Sequence, residues 1–362
     1  MRHTFRATQD RMLYQDKQVQ IYHKSLEQPV YVVEPVDGTP TATILWLHGL
    51  LEHAYRFFPH AMSWARAGYQ VILFHLKGHG IDAKEFSDVQ WLAEGYIKTT
   101  EPALLCEYLG RRSDADPTFF ASVRARNYRR LGTLKMQDHL DQTFSAIDRL
   151  ANLTINKGPL MLGGHSLGGL IAAEAAAQLA DKGDIQPAGV ILLNPGLRPG
   201  GPSLLTRLPV ELSWWGRVSP AFIPLSAPLW VLMMLKLPFN TGWGSRYVSD
   251  IKAEQALHAA DPLISRRVPS TYLMAIQRQM AITRRRAADY PADLILLASK
   301  TDRIVHGRSS ARFGEKVKAS RGDACEVHLF TDTYAHELLR STKRKEAARH
   351  LEAWLAKRVA GR

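Results

Sequence analysis

The chain has 362 residues, 46% of them hydrophobic, which is enough for one large α/β domain with an insertion and excludes a small stapled scaffold. Its 47 Lys and Arg against 34 Asp and Glu leave a net charge of +13, which favours anionic partners. The basic clusters at Arg111-Arg112, Arg124 to Arg130 and Arg284-Arg285-Arg286 have no interleaved aromatic or zinc-finger pattern, so no nucleic acid is expected; they read first as solvated helix faces and second as contacts for lipid headgroups.

Taken in chain order, residues 1–18 lack an apolar run of signal-peptide length, and the two cysteines, Cys106 and Cys325, are far apart. A reducing, cytoplasmic location is expected. Strand-like runs follow at 19–22, 30–34, 42–47 and 70–74, with a helix over 60–67. Residues 81–134 are long for a single connection and are expected to carry extra helices, with no function assigned. Next come a helix over 135–150, a strand over 160–162, a helix over 170–180 and a strand over 190–193. Residues 197–260, rich in proline, tryptophan and leucine, leave the sheet here and read as an inserted cap within a single domain spanning 1–362. Their greasiest part, 221–239, is broken by three prolines and Lys236, which argues against a spanning helix and leaves peripheral membrane contact open. Strands over 294–298 and 326–330 and helices over 309–319 and 343–357 close the chain. Eight strands alternating with helices, the later ones continuous apolar runs, predict a mostly parallel α/β sheet with ligands bound beyond its strand ends.

The sharpest local signal is Gly164-His165-Ser166-Leu167-Gly168, set between an apolar strand and an alanine-rich helix. Small residues two before and two after a serine permit the tight turn of a nucleophile elbow, so Ser166 is the candidate nucleophile. In this architecture the acid and the base should follow in that order, each just past a strand end. Asp302 in SKTDRIV and His336 in TDTYAHELL meet the condition. Asp293 and Asp332 are the rival acids; His306 lies too near Asp302 in sequence, and His328 falls inside a strand. Oxyanion donors are expected from the backbone N–H of Leu167 and of Leu50, the latter in the His48-Gly49-Leu50 loop. No HExxH, CxxC or phosphate-binding glycine loop occurs, so neither a metal nor an organic cofactor is expected.

The segments HGLLEHAYRF, FHLKGHG, GGHSLGG, ADPL, SKTDRIV and AHELL together resemble the monoglyceride lipase and lysophospholipase branch of the α/β-hydrolases, often grouped as serine aminopeptidase-like, over most of residues 42–357. The resemblance implies an α/β-hydrolase fold and hydrolysis of a lipid-like ester, monoacylglycerol or lysophospholipid, through an acyl-enzyme. It also implies that Glu52 and Arg56 approach the polar end of the substrate, although an ion pair within the loop explains the two residues equally well. Trp214, Trp215, Phe222 and Trp230 would line an apolar tunnel or merely pack the cap. Three features depart from the family: Leu51 replaces a glycine, His75 stands where an acid usually precedes the Gly-His-Gly turn, and the 81–134 connection is longer. The alternatives are a short-chain carboxylesterase, an aminopeptidase with the same triad, and a silent scaffold that binds a lipid or protein. The sequence leaves oligomeric state open.

Overall fold

The computed structural model describes residues 11–25, 29–114, 116–152, 158–183, 186–200, 238–240 and 244–360. The strands are β1 (Arg11–Gln15), β2 (Val19–Ser25), β3 (Pro29–Pro35), β4 (Ala42–Leu47), β5 (Tyr69–Phe74), β6 (Leu160–His165), β7 (Gly189–Leu193), β8 (Pro238–Asn240), β9 (Arg267–Pro269), β10 (Leu294–Ser299) and β11 (Glu326–Phe330). The α-helices are α1 (Phe58–Arg66), α2 (Phe86–Lys98), α3 (Pro102–Ser113), α4 (Pro117–Leu131), α5 (Met136–Asn152), α6 (Leu167–Lys182), α7 (Ser245–Val248), α8 (Lys252–Ala260), α9 (Ser270–Arg285), α10 (Gly307–Arg321) and α11 (Arg344–Ala360).

One sheet runs in the order β1-β2-β3-β5-β4-β6-β7-β10-β11, while β8 and β9 form a separate antiparallel pair. It is antiparallel from β1 to β5 and parallel from there on. The sheet therefore has nine strands, one more than the sequence predicts. The addition is β1, an edge strand of sequence RMLYQ that is half exposed and takes its register from β2, so no buried face marks it in the sequence.

All six residues of β4 are buried, with Ile44 and Trp46 on one face of the sheet and Leu45 and Leu47 on the other. Burial on both sides explains a continuous apolar run. Phe58, Trp64, Leu351 and Trp354 of α1 and α11 cover the first face; Leu170, Ile171, Phe313 and Val317 of α6 and α10 cover the second. The chain passes from β5 to β6 across β4, which puts the strand-order reversal, where such sheets bind ligands, at β4 and β6.

The 81–134 connection holds three helices, α2, α3 and α4. Proline in the first turn starts both α3 and α4, and Asp116 caps α4 by accepting from the Phe119 N–H at 2.9 Å. Of the expected cap, β8, α7 and α8 are described, and α8 packs on α3. Trp214, Trp215, Phe222 and Trp230 lie outside the described residues. Among the described residues no helix is long and apolar enough to cross a membrane.

Candidate active site

Ser166 sits between β6 and α6 at φ 53° and ψ −114°, a left-handed conformation that a side chain rarely adopts. Its N–H donates to Leu193 O at 3.0 Å, and its carbonyl accepts from Gly196 N at 2.8 Å and Leu170 N at 3.1 Å. The turn tolerates no side chain on either flank: a Cβ on Gly164 would lie 2.3 Å from the Gly168 carbonyl carbon, and one on Gly168 would lie 2.1 Å from Leu47 O. That contact brings β4 and the turn together at Leu47 and Gly164, which pair across the sheet.

Asp302 and His336 come from the loops after β10 and β11. His336 Nδ1 donates to Asp302 Oδ2 at 2.7 Å, and Asp302 Oδ1 accepts from the N–H groups of Ile304 at 2.7 Å and Val305 at 3.2 Å. Both side chains are buried. With Nδ1 donating, the proton-accepting nitrogen of His336 is Nε2, and Ser166 and His336 line the same cleft with Leu50, Glu52, Val248 and Ile304. The rivals are engaged elsewhere: Asp332 pairs with Lys343, Asp293 with Arg321 and Arg358, His306 caps α10 through Ser309, and His328 stacks on His350.

The loop after β4 is held from inside. His48 Nδ1 donates to Gly49 O at 2.8 Å, its Nε2 accepts from Leu76 N at 2.9 Å, and Glu52 Oε1 accepts from Gly49 N. Leu50 follows and lines the cleft, and Leu167 opens α6 beside Ser166, so the two expected oxyanion donors stand at the ends of the neighbouring strands β4 and β6. Glu52 does reach the cleft wall, but Arg56 does not: its guanidinium is 1% exposed, bonded to Glu52 through Nε at 3.3 Å and to both Glu337 oxygens through Nη2 at 2.8 and 2.7 Å. Arg56 thus braces the loop after β4 against the loop that carries His336 through buried ion pairs with Glu52 and Glu337.

Residues 127–343, more than half the chain, match the serine aminopeptidase S33 family, and residues 42–206 match the α/β-hydrolase fold. The chain belongs to the serine aminopeptidase S33 family. No curated protein matches it. Among solved structures, the fold is similar to a monoacylglycerol lipase of Paleococcus ferrophilus at 19% identity, covering 92% of this chain and 100% of that one with a TM-score of 0.62. A soluble variant of the Saccharomyces cerevisiae monoglyceride lipase, in complex with a substrate analog, is 14% identical over 99% of this chain and 98% of that one, TM-score 0.64. A carboxyl esterase of Bacillus coagulans, in complex with glycerol, is 15% identical over 98% of this chain and 100% of that one, TM-score 0.57.

Within this S33 chain two of the sequence departures have structural consequences. Leu51 takes φ 65°, a conformation suited to the glycine it replaces, and its side chain is buried between two cavities. His75 accepts the Ala54 N–H on Nδ1 at 3.2 Å; burial, then neighbouring His53, His48 and His79, hold its pKa well below the ordinary histidine value, so the ring supplies a neutral acceptor.

Two residues to which the sequence reading gives no role bind the site together. His165 bonds Glu52 Oε1 through Nδ1 at 2.8 Å and donates from Nε2 to His336 O at 3.1 Å. Burial alone would lower its pKa, but the Glu52 carboxylate outweighs that and raises it; Glu52 in turn is held well below the usual carboxylate range by His165 and Arg56 against the effect of burial. Asn194, at φ 40° after β7, donates to the carbonyls of His336 at 2.6 Å and Ala335 at 3.2 Å and accepts from Ser299 N at 2.7 Å. Both contacts join segments more than a hundred residues apart, which no local pattern records.

Proposed function

We propose that this chain is a serine hydrolase that cleaves carboxylic esters of lipid-like acyl chains, monoacylglycerol or lysophospholipid, through an acyl-enzyme on Ser166. The observation that carries the reading is the 2.7 Å bond from His336 to buried Asp302 in a cleft that His336 shares with Ser166 on its strained turn. His336 Nε2 takes the Ser166 proton as Oγ attacks the ester carbonyl, then returns it to the departing alcohol; water repeats the sequence to release the acid. Asp302 fixes the tautomer and stabilises the imidazolium that forms. The N–H groups of Leu50 and Leu167 receive the negative charge that builds on the carbonyl oxygen. Protons and charge are all accommodated by protein groups, so the proposed cycle uses no metal or organic cofactor.

The names of the similar structures, two monoglyceride lipases and a carboxyl esterase, favour an acyl ester, and the cleft walls Leu50, Val248 and Ile304 suit an apolar acyl group. The family's name favours aminopeptidase activity as a second reading. An aminopeptidase needs a carboxylate to receive the substrate ammonium, whereas Glu52 and Glu337 in this cleft are already bound by Arg56. The test is a panel of 4-nitrophenyl esters from acetyl to palmitoyl, monooleoylglycerol, a lysophospholipid and leucine 4-nitroanilide. Turnover of the longer esters and lipids with little on the anilide is expected; the reverse ranking would replace the lipid reading with the peptidase one.

A further inference from the structure

His165 ends β6 one residue before Ser166, and both of its ring nitrogens face atoms that can only accept a hydrogen bond. Nδ1 lies 2.8 Å from Glu52 Oε1, and Nε2 lies 3.1 Å from the carbonyl oxygen of His336. Glu52 is fixed as an acceptor, since Oε1 takes the Gly49 N–H and Oε2 takes the Arg56 Nε–H at 3.3 Å. A neutral imidazole has one N–H and can satisfy only one of the two contacts; an imidazolium satisfies both.

The charges around the ring call for the same state. Glu52 begins a buried chain of ion pairs that runs through Arg56, Glu337 and Arg340 to Glu254, three carboxylates against two guanidiniums. A buried charge left without a partner is costly, and an imidazolium at the Glu52 end balances the chain. Burial works against a charge on His165, but Glu52 and then Glu337 outweigh it and raise its pKa. His60 of α1, which also feels this ring, goes the other way: burial, then Arg340, Arg56 and His165, lower its pKa to about 3. His336 faces His165 with 4.6 Å between ring centroids and is itself bonded to Asp302.

The charged ring stands between two loops of the site. His336 is held by its backbone as well as by its ring: its N–H donates to Tyr247 O at 3.2 Å, and its carbonyl accepts from Asn194 Nδ2 at 2.6 Å as well as from His165. On the other side, a Cβ on Gly49 would press on Glu52 Oε1 and lie 3.0 Å from His165 Nδ1, so the loop after β4 closes tightly over the pair. We propose that His165 is a positioning residue that works as an imidazolium, paired with Glu52 and gripping the carbonyl of His336, so that hydrolysis requires this second histidine to be charged. A charge-assisted bond is about twice as strong as a neutral one, and a misplacement of about 1 Å in a reacting group can cost about a hundredfold in rate. The second N–H is present below the pKa of His165 and is lost as pH rises through it; the neutral ring then turns a lone pair toward one of its two acceptors. The effect on rate rests on the ester-hydrolase reading above, whereas the charge on the ring does not.

Two measurements on the full chain test the proposal. In protein carrying 15N-histidine, long-range proton–nitrogen NMR spectra at about pH 7.5, where exposed histidines are mostly neutral, should show a buried ring with protons on both nitrogens. That ring should be missing from His165→Gln and singly protonated in Glu52→Gln, which keeps the shape of the carboxylate but removes its charge. A His165 ring with one proton in the wild type would overturn the proposal. With 4-nitrophenyl butyrate, the wild-type kcat should fall along an alkaline limb as His165 loses its proton. His165→Gln should lower kcat about thirtyfold near pH 7 with KM within about threefold, and Glu52→Gln should move the limb down by about one pH unit or more. Losses that are even across pH in both variants, with the wild-type shape of the profile retained, would reduce the contact to a structural one and overturn the role. If no ester is hydrolysed, the ester reading has failed, and the NMR spectra still decide the charge on His165.

Discussion

Whether His336 can act as a base depends on where one proton sits. The bond to Asp302 keeps it on Nδ1, and Asp302 is kept as an acceptor by the N–H groups of Ile304 and Val305. Asp302→Asn removes that preference without changing shape, so kcat on a short nitrophenyl ester should fall about a thousandfold or more. Asp332→Asn, which loses only a surface pair with Lys343, should stay within about twofold. Comparable losses in the two variants would displace Asp302 from the site. The candidates Ser166, Asp302 and His336 are legible because each has a strand end or a turn motif beside it. His165 and Asn194 are not, because what matters about them is a bond to the carbonyl of His336 across the fold. Asn194→Ala would take the acceptor from the buried Ser299 N–H and one of two donors from each of the His336 and Ala335 carbonyls, and about 2 kcal/mol of stability together with a measurable loss of kcat is expected from denaturant melts and ester kinetics.

At the scale of elements, the central strands and their helices follow directly from apolar runs. Buried on both faces, β4, β5 and β6 need no alternation, and turn residues delimit them. The edge strand β1 and the pair β8–β9 escape such reading, since they are short and set by a neighbour's hydrogen bonds rather than by a buried face. The 81–134 connection is readable as helical but not in what it touches: Asn127 bonds Gly80 O and Arg124 bonds Pro262 O, contacts made only after folding. The elbow gives the strictest test at this scale. Gly168→Ala pushes a methyl into the Leu47 carbonyl, and insolubility or a loss of more than about 3 kcal/mol is expected; a soluble variant of wild-type Tm would mean that β4 and the turn are not this close.

For the whole molecule, charge and burial set how it responds to its surroundings. Burial pushes the pKa of His48 and His139 to about 3 and of His79 to about 4, below the ordinary histidine value of 6.5. Native histidines that refuse protons an unfolded chain accepts make stability full above about pH 6.5 and falling below it, by about 1.4 kcal/mol per pH unit for each group. His165 works in the opposite sense, its raised pKa adding stability that is lost as pH rises through it. Tm should therefore drop by at least about 5 °C between pH 6.5 and 5, and a flat profile would contradict the neutral burial of these rings. The net charge of +13 should carry the protein onto anionic vesicles at low salt and release it at about 0.5 M NaCl; indifference to salt would remove the electrostatic basis for membrane contact.

On the proposed mechanism, Ser166 is the nucleophile that an electrophilic probe should find. Reaction with a fluorophosphonate followed by mass spectrometry of the digested protein tests it most directly. A single adduct on the peptide carrying Ser166, absent from Ser166→Ala together with all ester turnover, is the predicted result. Labelling of another residue, or undiminished labelling of Ser166→Ala, would contradict it.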